Sequence, residues 1–158
     1  MSIKKIKNRL VLYVMTKEKI KPIVETHIYK GKAGDDPCNC YKLNYIIGDD
    51  NLIQVFLKEI PDLDKYNKVH CNDITVEPFE LSVTVKTRYD SKIIKKFGSD
   101  LTDLSYNLFE ELDETANYYS MKVNKENIDL NNLRDIEFVM FTNVLNDICY
   151  MLMKEGGY

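Results

Sequence analysis

The residues best suited to hold a metal are Cys38, Cys40, His70 and Cys71. Three thiolates and an imidazole form a soft donor set that zinc accepts in a tetrahedral shell. Zinc is therefore the one cofactor the sequence suggests; apart from it none is expected. The spacing argues against the ion. Structural zinc sites mostly separate paired cysteines by about two to four residues, so that the chain can wrap around the metal. Here only Asn39 stands between Cys38 and Cys40, and His70 adjoins Cys71. Neighbours on an extended chain point to opposite faces. The plainer reading puts Cys38 and Cys40 along a loop or apolar edge and His70 and Cys71 at a strand start. Cys149 falls on the apolar flank of a C-terminal helix and reads as core.

A second set is electrostatic. Lys4, Lys5, Lys7, Arg9, Lys17, Lys19, Lys21, Lys30 and Lys32 crowd residues 1–32 against Glu18 and Glu25, a balance of +7. They interleave with Tyr13, His27 and Tyr29. Cations that meet phosphates and rings that stack on bases are what a single-strand platform needs. This predicts a nucleic-acid surface on an N-terminal hairpin. The whole chain nevertheless carries −3 at pH 7 with a pI near 5.5, whereas nucleic-acid-binding domains are usually basic. Residues 99–158 hold four basic against twelve acidic groups, a balance of −8. The chain is thus charge-segregated, with a near-neutral middle.

Carboxylate chemistry has weaker support. Asp35-Asp36, Asp49-Asp50 and Asp62 with Asp64 are acidic pairs able to meet a divalent cation. They also sit where turns are expected, and short Asp side chains are selected there for local hydrogen bonds. The sequence contains no G-x-S-x-G, G-x-G-x-x-G or P-loop pattern, and its six Gly are scattered. The reading is accordingly a non-enzymatic protein.

These residues must be positioned by a domain of 158 residues, long enough to bury a core of its own. Arg9–Met15 and Ile20–Tyr29 read as a hairpin, followed by a loop over 30–40. Tyr41–Ile47 alternates Leu43, Tyr45 and Ile47 on one face, and Gly48-Asp49-Asp50-Asn51 is a turn signature. Leu52–Ile60 fits a returning strand or a helix, with the short turn favouring the strand. Ile74–Tyr89 is the clearest strand, with Leu81, Val83 and Val85 on one side. Ser99 is a candidate N-cap for a helix carrying Leu101, Leu104, Leu108 and Leu112 and ending near Asp113. Asn117–Val123 alternates Tyr119, Met121 and Val123 and is predicted as a further strand.

A last helix runs from Leu130 to Lys154 and stops at Gly156-Gly157. One stripe on it is Leu133, Ile136, Met140, Val144, Ile148 and Met151; a second is Phe138, Phe141, Leu145 and Leu152. That apolar arc is wider than a surface helix needs, so Phe138, Phe141, Leu145 and Leu152 are candidate contacts with a protein partner or a second copy. Strands first and helices later is the α+β pattern. The predicted fold is a mostly antiparallel four- to six-stranded sheet over the N-terminal two-thirds, packed by two C-terminal helices, in a single domain, 1–158.

Neither a cleavable leader nor an apolar run near 18 residues is read, so no membrane partner is expected. Four Cys suggest reduced thiols in a cytoplasm. The abundance of Lys, Asn, Ile and Tyr against two Ala and no Trp fits an AT-rich genome, such as that of a virus, a phage or a low-GC bacterium. The expected function is a binding or assembly accessory protein acting through protein surfaces. The alternatives are nucleic-acid binding by the basic hairpin and a zinc-binding module or metal-dependent enzyme.

Overall fold

Period-two alternation of apolar side chains dictates the first part of the fold. A computed structural model describes residues 23–30 (backbone only), 38–64, 66, 77–125 and 128–157. Among the described residues five strands follow one another: β1 (Ile23–Lys30), β2 (Asn39–Ile47), β3 (Asn51–Glu59), β4 (Phe79–Lys86) and β5 (Ser91–Gly98). Each is antiparallel to the next, in the spatial order β1-β2-β3-β4-β5. After the sheet, the described residues form two long helices, α1 (Leu101–Lys125) and α2 (Leu133–Glu155). The architecture is α+β, a meander followed by a helical pair.

The register sorts the side chains into two faces. Leu43, Val55, Val83 and Ile94 lie opposite one another across four strands, as do Tyr45, Ile53, Val85 and Lys92. This face carries the core: Ile47, Ile53, Leu81, Val83, Val85 and Ile94 are buried against the helices. α1 lies over β4 and β5, and α2 lies over β2 and β3. The β2–β3 turn needs Gly48, whose φ is +65°. A Cβ there would collide with the Glu137 carboxylate.

α1 buries Leu104, Leu108, Leu112, Ala116 and Tyr119. Its buried hydroxyls are satisfied within the helix: Ser105 donates to the Leu101 carbonyl and Ser120 to the Ala116 carbonyl, each at 2.8 Å. In α2 every residue from Ile136 to Leu145 is buried. Tyr119, Phe138 and Phe141 form the aromatic heart of the core, with Tyr119 edge-on to Phe141 at 5.2 Å between centroids. Such pairs add about 0.5–1.5 kcal/mol each beyond their burial.

Several expectations are corrected. Asn117–Val123 is not a strand but the last two turns of α1. Ala116, Tyr119, Ser120 and Val123 recur at helical spacing and face the core, while Met121 points outward. The strand β5 was not anticipated. The cap of α1 is Asp100, not Ser99: its Oδ1 accepts from the Thr102 N–H at 2.9 Å. α2 starts after Asn132, whose Oδ1 accepts from the Arg134 and Asp135 N–H groups. Leu101, Leu133 and Met151, assigned to apolar stripes, are exposed. By length and composition α2 is also apolar enough to cross a membrane, contrary to the sequence reading, although 72% of its most apolar window is buried in the domain. Arg9–Met15, the expected partner of the N-terminal hairpin, lies outside the described residues; β1 pairs with β2.

Candidate interaction surface

The second face of the sheet is the one the helices leave. On it the register places Lys42, Phe56, Ser82 and Lys95 in one row across β2 to β5, and Cys40, Lys58, Glu80 and Phe97 in the next. A third row is Asn44, Gln54, Thr84 and Ile93, and its Gln54 Nε2 donates to Asn44 Oδ1 at 2.8 Å. Cations sit on rings here. The Lys42 Nζ is 5.8 Å from the Phe56 ring centre, and the Lys58 Nζ is 5.4 Å from that of Tyr66. Among the described side chains of this face, Lys42, Lys58, Lys86 and Lys95 face a single acid, Glu80. α1 on the other side carries Asp103, Glu110, Glu111, Asp113 and Glu114 against Lys122 and Lys125. The sheet face is thus basic and the helix acidic; these lysines belong to the near-neutral middle of the sequence, and the basic residues of 1–32 add no described side chain to the face.

The margin of this face is β5. Ile93 is 65% exposed and Phe97 59% exposed, while Ile94 between them is buried at 3%. Each lysine of β5 has a partner on its own domain. Lys92 Nζ donates to Thr115 Oγ1 at 3.2 Å, Lys95 lies 3.9 Å from Glu80, and Lys96 pairs with Glu111. Among the described residues β5 is an edge, bonded only to β4.

The direction of its backbone follows from the β4–β5 turn. The Thr87 N–H donates to the Asp90 carbonyl at 2.8 Å, so Thr87 and Asp90 form a hydrogen-bonded pair. In an antiparallel ladder such pairs alternate with pairs that exchange no bonds. Lys92, Ile94 and Lys96 therefore bond to β4, and Ile93, Lys95 and Phe97 turn their N–H and C=O groups outward. The outward backbone and the exposed apolar side chains belong to the same residues.

The turn end of the domain is, by contrast, closed. Arg88 pairs with Asp135 at 3.0 Å and lies over the Tyr89 and Phe138 rings. The Tyr119 hydroxyl donates to Asp90 Oδ1 at 2.5 Å. Burial, then the bond to Asp90, raise the Tyr119 hydroxyl far above the usual phenol range. The Asp129 N–H, bonded to Asp135 Oδ2 at 3.0 Å, and then Arg88 hold the Asp135 carboxyl below the ordinary range. Burial pushes the Glu137 carboxyl up, with Asp49 and Asp50 adding to the effect and Arg134 opposing it. This cluster ties two turns to α2, through Arg88 with Asp135 and Asp50 with Arg134.

The residues singled out in the sequence fall as follows. Cys38 is buried and Cys40 half-buried, on the same side of the chain as Lys58. Although burial works against the charge, Tyr66 and the two cysteines hold the Lys58 ammonium above its usual pKa. A protein cation thus sits beside the two sulfurs. His70 and Cys71 lie outside the described residues, and no metal-sized cluster of His, Cys, Asp or Glu occurs among the described ones.

Lys4, Lys5, Lys7, Arg9, Lys17, Lys19, Lys21 and Lys32 also lie outside, and Lys30 is placed by backbone alone at the end of β1. Asp35-Asp36 are likewise outside. Asp50 accepts from the Arg134 guanidinium at 2.8 Å. Phe138, Phe141, Leu145 and Leu152 are not on the surface: they are 0%, 0%, 0% and 4% exposed. Their wide arc is taken up by α1 and the sheet. What the sequence reading missed is Ile93 and Phe97, whose signal is two large apolar residues separated by lysines. Compared with protein-family models, curated proteins and solved structures, the chain has no significant match.

Proposed function

We propose that this chain is a non-enzymatic binding or assembly protein that acts through the β5 margin of its second sheet face. One observation carries the reading: Ile93 and Phe97 stand exposed on a strand that is an edge among the described residues, with Ile94 between them in the core. Exposed edges are templates for another strand, and natural proteins blunt them with lysines aimed at solvent. Here Lys92 donates to Thr115, Lys96 pairs with Glu111, and Lys95, its side chain 48% exposed, lies 3.9 Å from Glu80. The edge offers main-chain bonds for affinity and alternate side chains for specificity, the usual terms of strand addition. The missing nucleophile and phosphate-loop patterns of the sequence agree with a surface rather than a cleft.

The test compares proteins captured from the native source by wild type and by the Ile93→Lys, Phe97→Lys double variant, both verified as folded. Loss of a partner with the double variant is expected. Captures that are identical for the two forms would overturn the reading.

The lysine–ring contacts favour a second reading, in which the same face binds a single nucleic-acid strand. Lys42 on Phe56, and Lys95 one row from Phe97, combine cation and stacking surface. A titration with a single-stranded oligonucleotide decides it. Affinity falling with salt at a log-log slope of several units supports nucleic-acid binding, and no binding at low salt removes it.

A further inference from the structure

We infer that the strand which adds to β5 is β5 of a second copy of this chain, paired antiparallel about a two-fold axis at Lys95. The inference rests on the binding role of the β5 margin and names its partner.

The outward side of β5 is self-complementary. In an antiparallel pair, residues directly opposite share a face, and outward-bonding residues must meet outward-bonding residues. For β5 these are Ile93, Lys95 and Phe97, as the Thr87–Asp90 pair fixes. Two two-fold registers meet this condition while overlapping most of the strand. One sets Ile93 opposite the partner's Lys95 and Lys92 opposite the partner's Lys96, which places an apolar side chain on a charge and like charges together. The other is centred on Lys95. It sets Ile93 opposite the partner's Phe97, and Phe97 opposite the partner's Ile93. Cross-strand pairs of an aromatic with a β-branched residue stabilise a sheet, and like charges oppose it.

The second register covers both exposed apolar residues at once. Its weak point is Lys95 facing the partner's Lys95, and each is balanced by its own Glu80 at 3.9 Å. On the helix face Lys92 meets the partner's Gly98, where no side chain obstructs it, and Ile94, already buried beneath α1, lies opposite the partner's Lys96. Lys96 remains held by Glu111. The three pairs, Ile93 with Phe97, Lys95 with Lys95 and Phe97 with Ile93, each exchange two main-chain bonds. Two five-stranded sheets become one continuous sheet, with the basic faces on the same side. The lysines bear on the choice of register: the rival sets Lys92 against Lys96 twice, whereas this one has a single Lys95 pair.

The experiment uses the full chain. Light scattering over a wide concentration range is expected to show the mass rising from monomer to dimer. Lys95→Pro removes an outward N–H and no bond to β4, a position where an edge strand tolerates proline. It is expected to weaken association by at least about tenfold, the scale of losing a hydrogen-bonded pair, with the melting temperature of the monomer retained. Lys95→Cys is expected to form a disulfide-linked dimer on mild oxidation. Paired Cα atoms stand about 5.5 Å apart in such a ladder, within disulfide reach. Ser91→Cys is the control, because its two copies would be roughly 27 Å apart along the strands.

A wild type that stays monomeric overturns the self-pairing. So does a dimer that tolerates both Lys95→Pro and Phe97→Lys, or one that fails to cross-link at position 95. A monomer whose capture of another protein requires Ile93 and Phe97 overturns only the self-pairing. A monomer with no such capture overturns the binding role as well.

Discussion

The two sides of β5 differ in what the fold has done with them. On one side Ile94 is sealed beneath α1, and the sheet joins the aromatic core of Tyr119, Phe138 and Phe141. On the other, Ile93 and Phe97 are as apolar as their covered neighbour and are left open. A covered face stabilises, and removing one of its side chains should unfold the domain. An open face of the same chemistry adds little stability, so its removal should alter association alone. That contrast can be broken by measurement.

The largest effect is expected from Phe141→Asp. Burying an unpaired carboxylate where an aromatic ring was 0% exposed costs more than about 4 kcal/mol. That is comparable with the whole stability of a small domain. Circular dichroism should show loss of the cooperative melt. A folded variant with altered assembly would contradict the core placement.

Next comes Gly48→Ala. The left-handed φ of +65° and the Glu137 carboxylate packed on Gly48 leave no room for a methyl group. A loss of about 1–3 kcal/mol is expected in denaturant melts.

Two carboxylates near the start of α2 should then respond to pH with opposite signs. The Glu137 carboxyl is raised in the folded state. The folded chain therefore holds a proton that the unfolded chain has released, and stability falls as pH rises through that window. Glu137→Gln is expected to be more stable than wild type at pH 7, with the gap closing below about pH 4. The Asp135 carboxyl is lowered. Its contribution is present above the ordinary carboxylate range and disappears as pH falls through the lowered value. Asp135→Asn is expected to be less stable than wild type at pH 7, with the gap closing in acid. Melts of both variants at pH 3 and pH 7 test the signs.

The smallest stability effect is expected at the open margin. Ile93→Thr and Phe97→Ser should each shift unfolding by no more than about 0.5 kcal/mol. A larger loss would mean that the margin is part of the core.

The strands were legible where apolar alternation was regular. Leu43, Tyr45 and Ile47 face the core, as do Leu81, Val83 and Val85, and both patterns read directly as strands. β5 was not legible because its inward positions are Lys92, Ile94 and Lys96. Two of the three are lysines held by Thr115 and Glu111, partners that only the tertiary fold supplies. The same inversion hid Ile93 and Phe97, which occupy the outward positions. The end of α1 was misread because Tyr119, Met121 and Val123 alternate by chance, and the burial of Ala116 and Ser120 settles the helix. The wide arc of α2 was seen correctly, but its cause was not: a helix packed on both a sheet and α1 needs no external partner. Of the sequence's charge polarity, the acidic part is seen on α1, whereas the basic candidates of residues 1–32 lie outside the described side chains and the lysines of the sheet face come from the near-neutral middle.

The most direct measurement of the central claim is amide hydrogen exchange along β5 as a function of protein concentration. The Lys92, Ile94 and Lys96 amides bond to β4 and should be protected at every concentration. The Ile93, Lys95 and Phe97 amides point outward and should exchange rapidly when dilute, then become protected as the concentration rises. Protection of these three that does not change with concentration, whether absent or complete throughout, would contradict a β5 edge that pairs with a second copy.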